Sequence, residues 1–324
     1  MNLSIIIPTY KRESILKETV LTILNFYPKE KFEIKIVNDD NGAPLELEFD
    51  DERVEVLQNQ AKGAAAARNL GVKHAAKSNL LFIDDDIVIT EDHLQNHLNT
   101  LSEYPNGIVT ANRKERQDLI DLFSKTSFGR YKYKHDYIWH EGFVKGKISD
   151  RYSYIDGAAT FSCSMRKSTF EVLGGFDEKF PYAGSEDYDL FERAKKQGHK
   201  LIFDTQNICY HNEPYNAEMS IWMNRHYRGV ASFILLCEKH PELKQSSRYT
   251  LYQPITKKDT FGEVLFKTKA SFLGTRMGRF FTDGIIWVAE KSNLSDRLMS
   301  KLYNARFISA VKKGFKDFNY LIES

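Results

Sequence analysis

The stretch Leu80-Leu81-Phe82-Ile83-Asp84-Asp85-Asp86-Ile87-Val88-Ile89 constrains this chain more than any other. Its first four residues are apolar and read as a buried strand, too short for a helix. Three carboxylates then crowd the strand's C-terminal end. Adjacent like charges repel, and burying them unpaired is costly. A hard cation with oxygen ligands removes that cost. In open α/β sheets, ligands bind at the carboxyl ends of strands. The stretch therefore points to a divalent metal holding something phosphorylated. Taken alone it also reads as a solvated acidic turn, so the flanking chain has to decide.

The flanks supply the sheet. Leu3–Ile7 is a β-rich run stopped by Pro8. Ile15, Thr19, Ile23 and Phe26 then recur at helical spacing until Pro28. Phe32–Val37 is a second strand with Asn38-Asp39-Asp40-Asn41-Gly42 as its terminal turn, and Val54–Leu57 is a third. Gly63-Ala64-Ala65-Ala66-Ala67-Arg68-Asn69 opens an alanine-rich helix. A helix around 91–104 and a strand at Ile108–Ala111 follow the acidic tip. Strand and helix in alternation, with polar loops at the strand tips, predict a parallel α/β sheet.

Composition excludes several classes. Three scattered cysteines (Cys163, Cys209, Cys237) give neither a disulfide framework nor a C-x-x-C metal site, and suggest a reducing compartment. The apolar run Ile5–Ile7 is too short for a signal peptide, and no run approaches a membrane span. A cytoplasmic protein is expected, with attachment to the cytoplasmic face of a membrane left open. Residues 1–224 hold 28 Lys/Arg against 35 Asp/Glu, and residues 225–324 hold 18 against 9. The body is acidic, which argues against nucleic acid as partner.

In order along the chain, Pro8-Thr9-Tyr10, Asn38-Asp39-Asp40-Asn41, Gly63…Arg68-Asn69 and Asp84-Asp85-Asp86 resemble the nucleotide-sugar half of family 2 glycosyltransferases of the GT-A fold. Gly174-Gly175-Phe176-Asp177-Glu178 and Gly184-Ser185-Glu186-Asp187-Tyr188-Asp189-Leu190 resemble that family's acceptor-side motifs, and His211 follows them. The resemblance covers roughly residues 1–212. It implies a Rossmann-like, mostly parallel sheet flanked by helices. Residues 1–112 would form the nucleotide-sugar-binding half, residues 113–212 the acceptor side, and residues 213–324 a basic, mainly helical extension.

By the same resemblance Asp86 coordinates Mn²⁺ or Mg²⁺, Asp84 lies nearer the ribose and metal waters, and Asp85 occupies a position the family leaves free. Pro8, Thr9, Tyr10 and Arg12 would frame base and ribose, and Gly63 leaves room for backbone to approach the ligand. Asp39 or Asp40, with Asp40 favoured, would accept from the base. That arrangement suits uracil, whose N3–H is a donor, and so a UDP-sugar. Arg68 would contact the nucleotide as a fixed cation. A His at the place of His211 can complete the metal shell in related enzymes, although a lone His beside an apolar run is more often structural.

The family inverts the anomeric centre, so an acceptor hydroxyl needs a carboxylate to take its proton. The resemblance assigns Asp187 as base and Glu186 to acceptor binding. Ser185 is expected to cap the helix that they open, and the helix dipole to keep the acids ionised. The acceptor class implied is a glycan or a lipid-linked glycan.

Three regions carry second readings. The aromatics of 113–156 (Phe128, Tyr131, Tyr133, Tyr137, Trp139, Phe143) serve either acceptor stacking or packing. Arg225 and Arg228 either reach a pyrophosphate or line an ordinary basic helix face; the Q-x-x-R-W of processive enzymes is missing. In 260–324, Phe261, Val264, Leu265, Phe272, Phe280, Phe281, Ile285, Ile286 and Trp287 interleave with Lys267, Lys269, Arg276 and Arg279. That pattern predicts docking on an anionic membrane or, equally, a packed subdomain or homodimer contact. Two other functions fit parts of the sequence. Asp84-Asp85-Asp86-Ile87-Val88 also matches the D-x-D-x-[TV] strand end of haloacid dehalogenase-type phosphatases, and a non-catalytic sugar-nucleotide-binding module would use the same contacts.

Overall fold

The computed structural model describes residues 1–137, 143–213, 218–292 and 294–319; Trp139, one of the segment's aromatics, lies outside them. The strands are β1 Leu3–Thr9, β2 Glu33–Asn38, β3 Val54–Gln58, β4 Asn79–Ile83, β5 Ile87–Ile89, β6 Gly107–Glu115, β7 Val144–Lys147, β8 Tyr152–Ile155, β9 Ser162–Arg166 and β10 Lys200–His211. The first helices are α1 Glu13–Phe26, α2 Ala64–His74, α3 His93–Glu103, α4 Gln117–Ser124, α5 Ser127–Tyr137, α6 Lys167–Val172 and α7 Glu186–Lys196. They are followed by α8 Met219–Lys239, α9 Ser247–Thr250, α10 Phe261–Leu273, α11 Arg276–Lys291 and α12 Asp296–Asp317.

Two compact units result. The first comprises Met1–Gln117 and His140–Glu213. Its sheet runs β3-β2-β1-β4-β9-β6-β10-β8-β7, with β5 paired to β10. Most paired residues lie in parallel pairs, as expected for the GT-A fold: β1 pairs with β2 and β4, β2 with β3, and β10 with β6. The apolar runs of β1, β2 and β4 are buried, and Phe82 packs edge-on against Phe176 at 5.4 Å between ring centres. Gly71 lets α2 lie directly on β1, because a Cβ there would come within 2.5 Å of Ile6 Cγ2.

The second unit comprises Asp118–Trp139 and Pro214–Ser324. It takes in α5 as well as the helices of the C-terminal region. Phe128 and Tyr131 pack there around Trp222 and Tyr303, so these aromatics fill a core. Arg225 and Arg228 lie on α8 of this unit. No helix among the described residues is long and apolar enough to cross a membrane.

Candidate active site

Two strand pairings place the acidic cluster. The carboxylates of Asp84, Asp85 and Asp86 fill the connection between β4 and β5. β5 runs antiparallel to β10 with Ile87 opposite His211, and the Asn212 N–H donates to the Asp86 carbonyl at 2.7 Å. β6 runs parallel to β10 with Glu115 opposite His211. His211 thereby sits among three acids. Its Nε2 is 3.5 Å from Asp86 and 3.8 Å from Glu213, and its Nδ1 is 3.3 Å from Glu115.

One ligand atom each from Asp86, His211 and Glu213 lies within 4.8 Å of the others. Two carboxylate oxygens and an imidazole nitrogen form a donor set that suits Mn²⁺ and related divalent ions. Glu213 and Glu115 escaped the sequence reading. The available signal was weak: Glu213 follows His211 by two residues at a strand end, the spacing that returns a side chain to the same face.

Arg12, just after β1, adds a guanidinium to these groups. Its Nη1 donates to Asp86 at 2.8 Å and to Asp85 at 3.2 Å, and its Nη2 to Glu213 at 2.5 Å. Thr9 Oγ1 donates to Asp85 at 2.7 Å, and Thr19 Oγ1 to the Asp85 carbonyl at 2.7 Å. Asp85, the middle acid, is thus bound to the β1 side of the site. Burial and then the Asp86 charge push the Asp85 carboxyl up to about 7, against the pull of Arg12. Burial would also raise Asp86, but His211 and Arg12 hold it well below the usual carboxylate range. Burial disfavours a charged His211, yet Asp86 and Glu115 raise its pKa to about 9.

On the β2 side, Asp39 accepts from the Gly63 N–H at 2.9 Å and from Asn59 Nδ2 at 2.7 Å. Gly63 has φ of +102°, which favours glycine, and open space at its Cβ position. Asp40 accepts from the Gly42 N–H at 3.0 Å and lies 3.7 Å from Lys11 Nζ. Tyr10 is 55 % exposed, with Lys11 over its ring, and follows directly on β1, whose last two residues are Pro8 and Thr9. Asp39 therefore holds the Gly63 loop with its side chain, whereas Asp40 uses one carboxylate oxygen in its own turn.

Arg68, expected on the nucleotide, is only 5 % exposed and lies between two carboxylates. It donates to Asp84 at 2.8 Å and to Glu186 at 2.9 Å. Its Nε has no partner among the described residues. The neighbouring Asn69 donates to the Phe176 carbonyl at 2.9 Å and accepts from its N–H at 3.0 Å, which fastens the Gly174–Phe176 turn to α2.

The start of α7 differs from the expected cap. Ser185 occupies the N-cap position with φ of +94°, and its hydroxyl makes no capping bond. The acids do that work. Glu186 accepts from the Gly184 N–H at 2.6 Å, and Asp187 from the N–H groups of Ser185 and Tyr188 at 3.3 and 2.8 Å. At Asp187 the helix dipole is opposed by other influences. Burial, followed by the Glu186 charge, pushes its carboxyl up to about 7. Asp189 faces inward to Arg193 at 2.9 Å, and Arg193 in turn donates to the Gly175 carbonyl at 2.7 Å. Asp189 therefore braces the glycine turn.

The model of Glycosyl transferase family 2 matches residues 4–173. The E. coli protein WfgD, named a UDP-Glc:alpha-D-GlcNAc-diphosphoundecaprenol beta-1,3-glucosyltransferase, is 30 % identical over 214 residues, which is 64 % of this chain and 74 % of that protein. The O-antigen biosynthesis protein RfbC of Myxococcus xanthus is 25 % identical over 226 residues, 65 % of this chain but only 17 % of the relative's own length. Among solved structures, GalNAc-T7 with UDP, GalNAc and Mn²⁺ aligns with a TM-score of 0.55 at 13 % identity, covering 87 % of this chain and 58 % of that one, a likeness of fold.

Proposed function

The chain belongs to glycosyl transferase family 2, and from that premise we propose that it moves a sugar, with inversion, from a UDP-sugar to a hydroxyl of a glycan or lipid-linked acceptor. The observation that carries the proposal is the guanidinium of Arg68, which holds Asp84 of the acidic tip and Glu186 at the start of α7 in one site. Donor-side and acceptor-side carboxylates thus belong to one charge network. Asp86, His211 and Glu213 are the residues that would hold a divalent ion, Mn²⁺ or Mg²⁺. Such an ion acts as a Lewis acid toward the departing diphosphate.

The remaining roles fall to the chain's own groups. Asp187, with a carboxyl near neutrality, is suited to accept a proton from the acceptor hydroxyl and to hold it. Glu186, fixed by Arg68 and the Gly184 N–H, orients the acceptor. The exposed Tyr10 ring offers a face to the base, while Thr9 and Pro8 wall the ribose. Asp40 accepts from uracil N3–H. The acceptor class follows the printed name of the E. coli relative, which includes a lipid diphosphate. Residues 1–112 form the donor half in this reading, and the following part of the first unit forms the acceptor side.

Thermal unfolding in the presence of nucleotides tests the donor assignment. UDP with Mn²⁺ should raise the midpoint, whereas GDP, or UDP with chelator, should not. Equal stabilisation by every nucleotide regardless of metal would remove it.

A further inference from the structure

Helix α11 carries its large apolar side chains on the outside. Gly278, Thr282, Ile286 and Ala289 face inward and are buried. Met277, Phe280, Phe281, Ile285, Trp287 and Val288 are each 52–75 % exposed. An ordinary surface helix has the reverse arrangement. Met277, Phe281, Ile285 and Val288 follow helical spacing and line one stripe, with Phe280 and Trp287 beside it. On α10, Phe261, Leu265 and Phe272 repeat the pattern and are at least half exposed. Exposed apolar surface of this continuity marks something that covers it. Of the residues the sequence pointed to, Lys267 and Ile286 are not part of this face; both are buried.

The charges identify the cover. Every acid between residues 255 and 301 is already held. Asp259 accepts from Lys267 at 2.7 Å, and Glu263 closes a capping box with Thr260. Asp283 accepts from Arg306 at 2.6 Å, Glu290 from Tyr303 at 2.7 Å, and Asp296 from Arg130 at 2.7 Å. The cations are mostly uncommitted. Lys257, Lys258, Lys269, Arg276, Arg297 and Lys301 have no carboxylate within ion-pair distance among the described residues, and Lys291 Nζ lies 3.7 Å over the Trp287 ring. A second copy would bring this basic face against its own charge. An anionic lipid surface complements it: apolar side chains enter the headgroup boundary, and lysine and arginine reach the phosphates. Trp287 under Lys291 has the amphipathic character favoured at that boundary.

We propose that the outward face of α10 and α11 docks the protein in the plane of an anionic membrane. The inference stands on this surface and is independent of the reaction assigned to the first unit. The test uses the full chain with phosphatidylcholine vesicles that do or do not contain phosphatidylglycerol, at low salt. The chain should float with the anionic vesicles and remain behind with the neutral ones. Trp287 emission should shift to the blue and be quenched by brominated lipid, and Trp287→Phe should lose that signal while still floating. Phe280→Ser with Phe281→Ser, both on solvent-exposed positions, should abolish flotation with thermal unfolding unchanged. Lys269→Ala with Arg276→Ala should weaken partitioning tenfold or more, since each surface cation is worth about a factor of five. Absence of binding to the anionic vesicles overturns the proposal. So does flotation untouched by the phenylalanine substitutions, or a lipid-free dimer that those substitutions dissociate.

Discussion

Asp84 and Glu186 accept hydrogen bonds from opposite arms of one guanidinium, that of Arg68, at 2.8 and 2.9 Å. Asp84 belongs to the strand tip that presents the metal-ligand candidates, and Glu186 precedes the proposed base. Arg68 is therefore the joint between the two halves of the proposed chemistry.

On the acceptor side, Asp187→Asn keeps the N–H bonds at the α7 start that a carboxamide oxygen can accept, and removes the basic site. Turnover should fall by a factor on the order of 10² or more, the scale of a general base, while UDP binding measured by calorimetry stays within about twofold. Retention of most of the transfer rate would move the assignment to Glu186, because Asp189 is occupied by Arg193.

The pH profile follows from the same residue. A base must be ionised, and burial with the Glu186 charge places the Asp187 carboxyl at about 7. The rate should therefore climb as pH rises through about 7 and level off above it. In the residual activity of Asp187→Asn that ascending limb should vanish. A profile unchanged in the variant would assign the limb to another group.

On the donor side, Asp86→Asn or Glu213→Gln should weaken Mn²⁺ binding by about tenfold or more and reduce turnover accordingly. Asp86 is also a partner of Arg12 and His211, so some stability goes with it. Isothermal titration with Mn²⁺ separates the two effects. Unchanged metal affinity in both variants would remove these residues from the ligand set.

Arg12 pairs with Asp86 and Glu213, two of the residues that would hold a metal. Arg12→Ala leaves partly buried acids uncompensated, which should cost about 1–3 kcal/mol in metal-free protein. Mn²⁺ should then stabilise the variant more than the wild type, because no guanidinium competes for the same oxygens. Equal metal-induced shifts in unfolding midpoint would show that Arg12 and metal do not share these acids.

The α7 start gives a purely structural test. Ser185 makes no capping bond and sits at positive φ, so Ser185→Ala should be close to neutral in stability. Ser185→Gly should stabilise by about 1 kcal/mol through relief of the backbone. A loss of 1 kcal/mol or more in Ser185→Ala, the usual cost of removing a true cap, would contradict the geometry.

The sequence made the β1–α1–β2 frame and the acidic tip readable because their signals are local: short apolar runs, a helical stripe ended by Pro28, and three carboxylates after Ile83. It hid what depends on distant pairing. Glu115 and Glu213 reach the site only because β10 runs between β6 and β5, and no nearby residue announces that. Ser185 has the residue type of a cap, but it sits at positive φ and its hydroxyl makes no capping bond, which leaves that role to the acids. The aromatics Phe128 and Tyr131 lie on helical segments whose partners, Trp222 and Tyr303, come much later in the chain. Composition there could not distinguish a core from a binding surface.

The most direct measurement is product formation from a panel of nucleotide-sugars, with Mn²⁺ and with chelator, scoring released nucleotide and the anomeric configuration of the product. The account predicts that a UDP-sugar yields UDP and an inverted linkage only with metal present, and that Asp187→Asn suppresses both. Inorganic phosphate released from a simple phosphate ester, binding of UDP-sugar without turnover in the presence of lipid-linked and free glycan acceptors, or full transfer in excess chelator would contradict it.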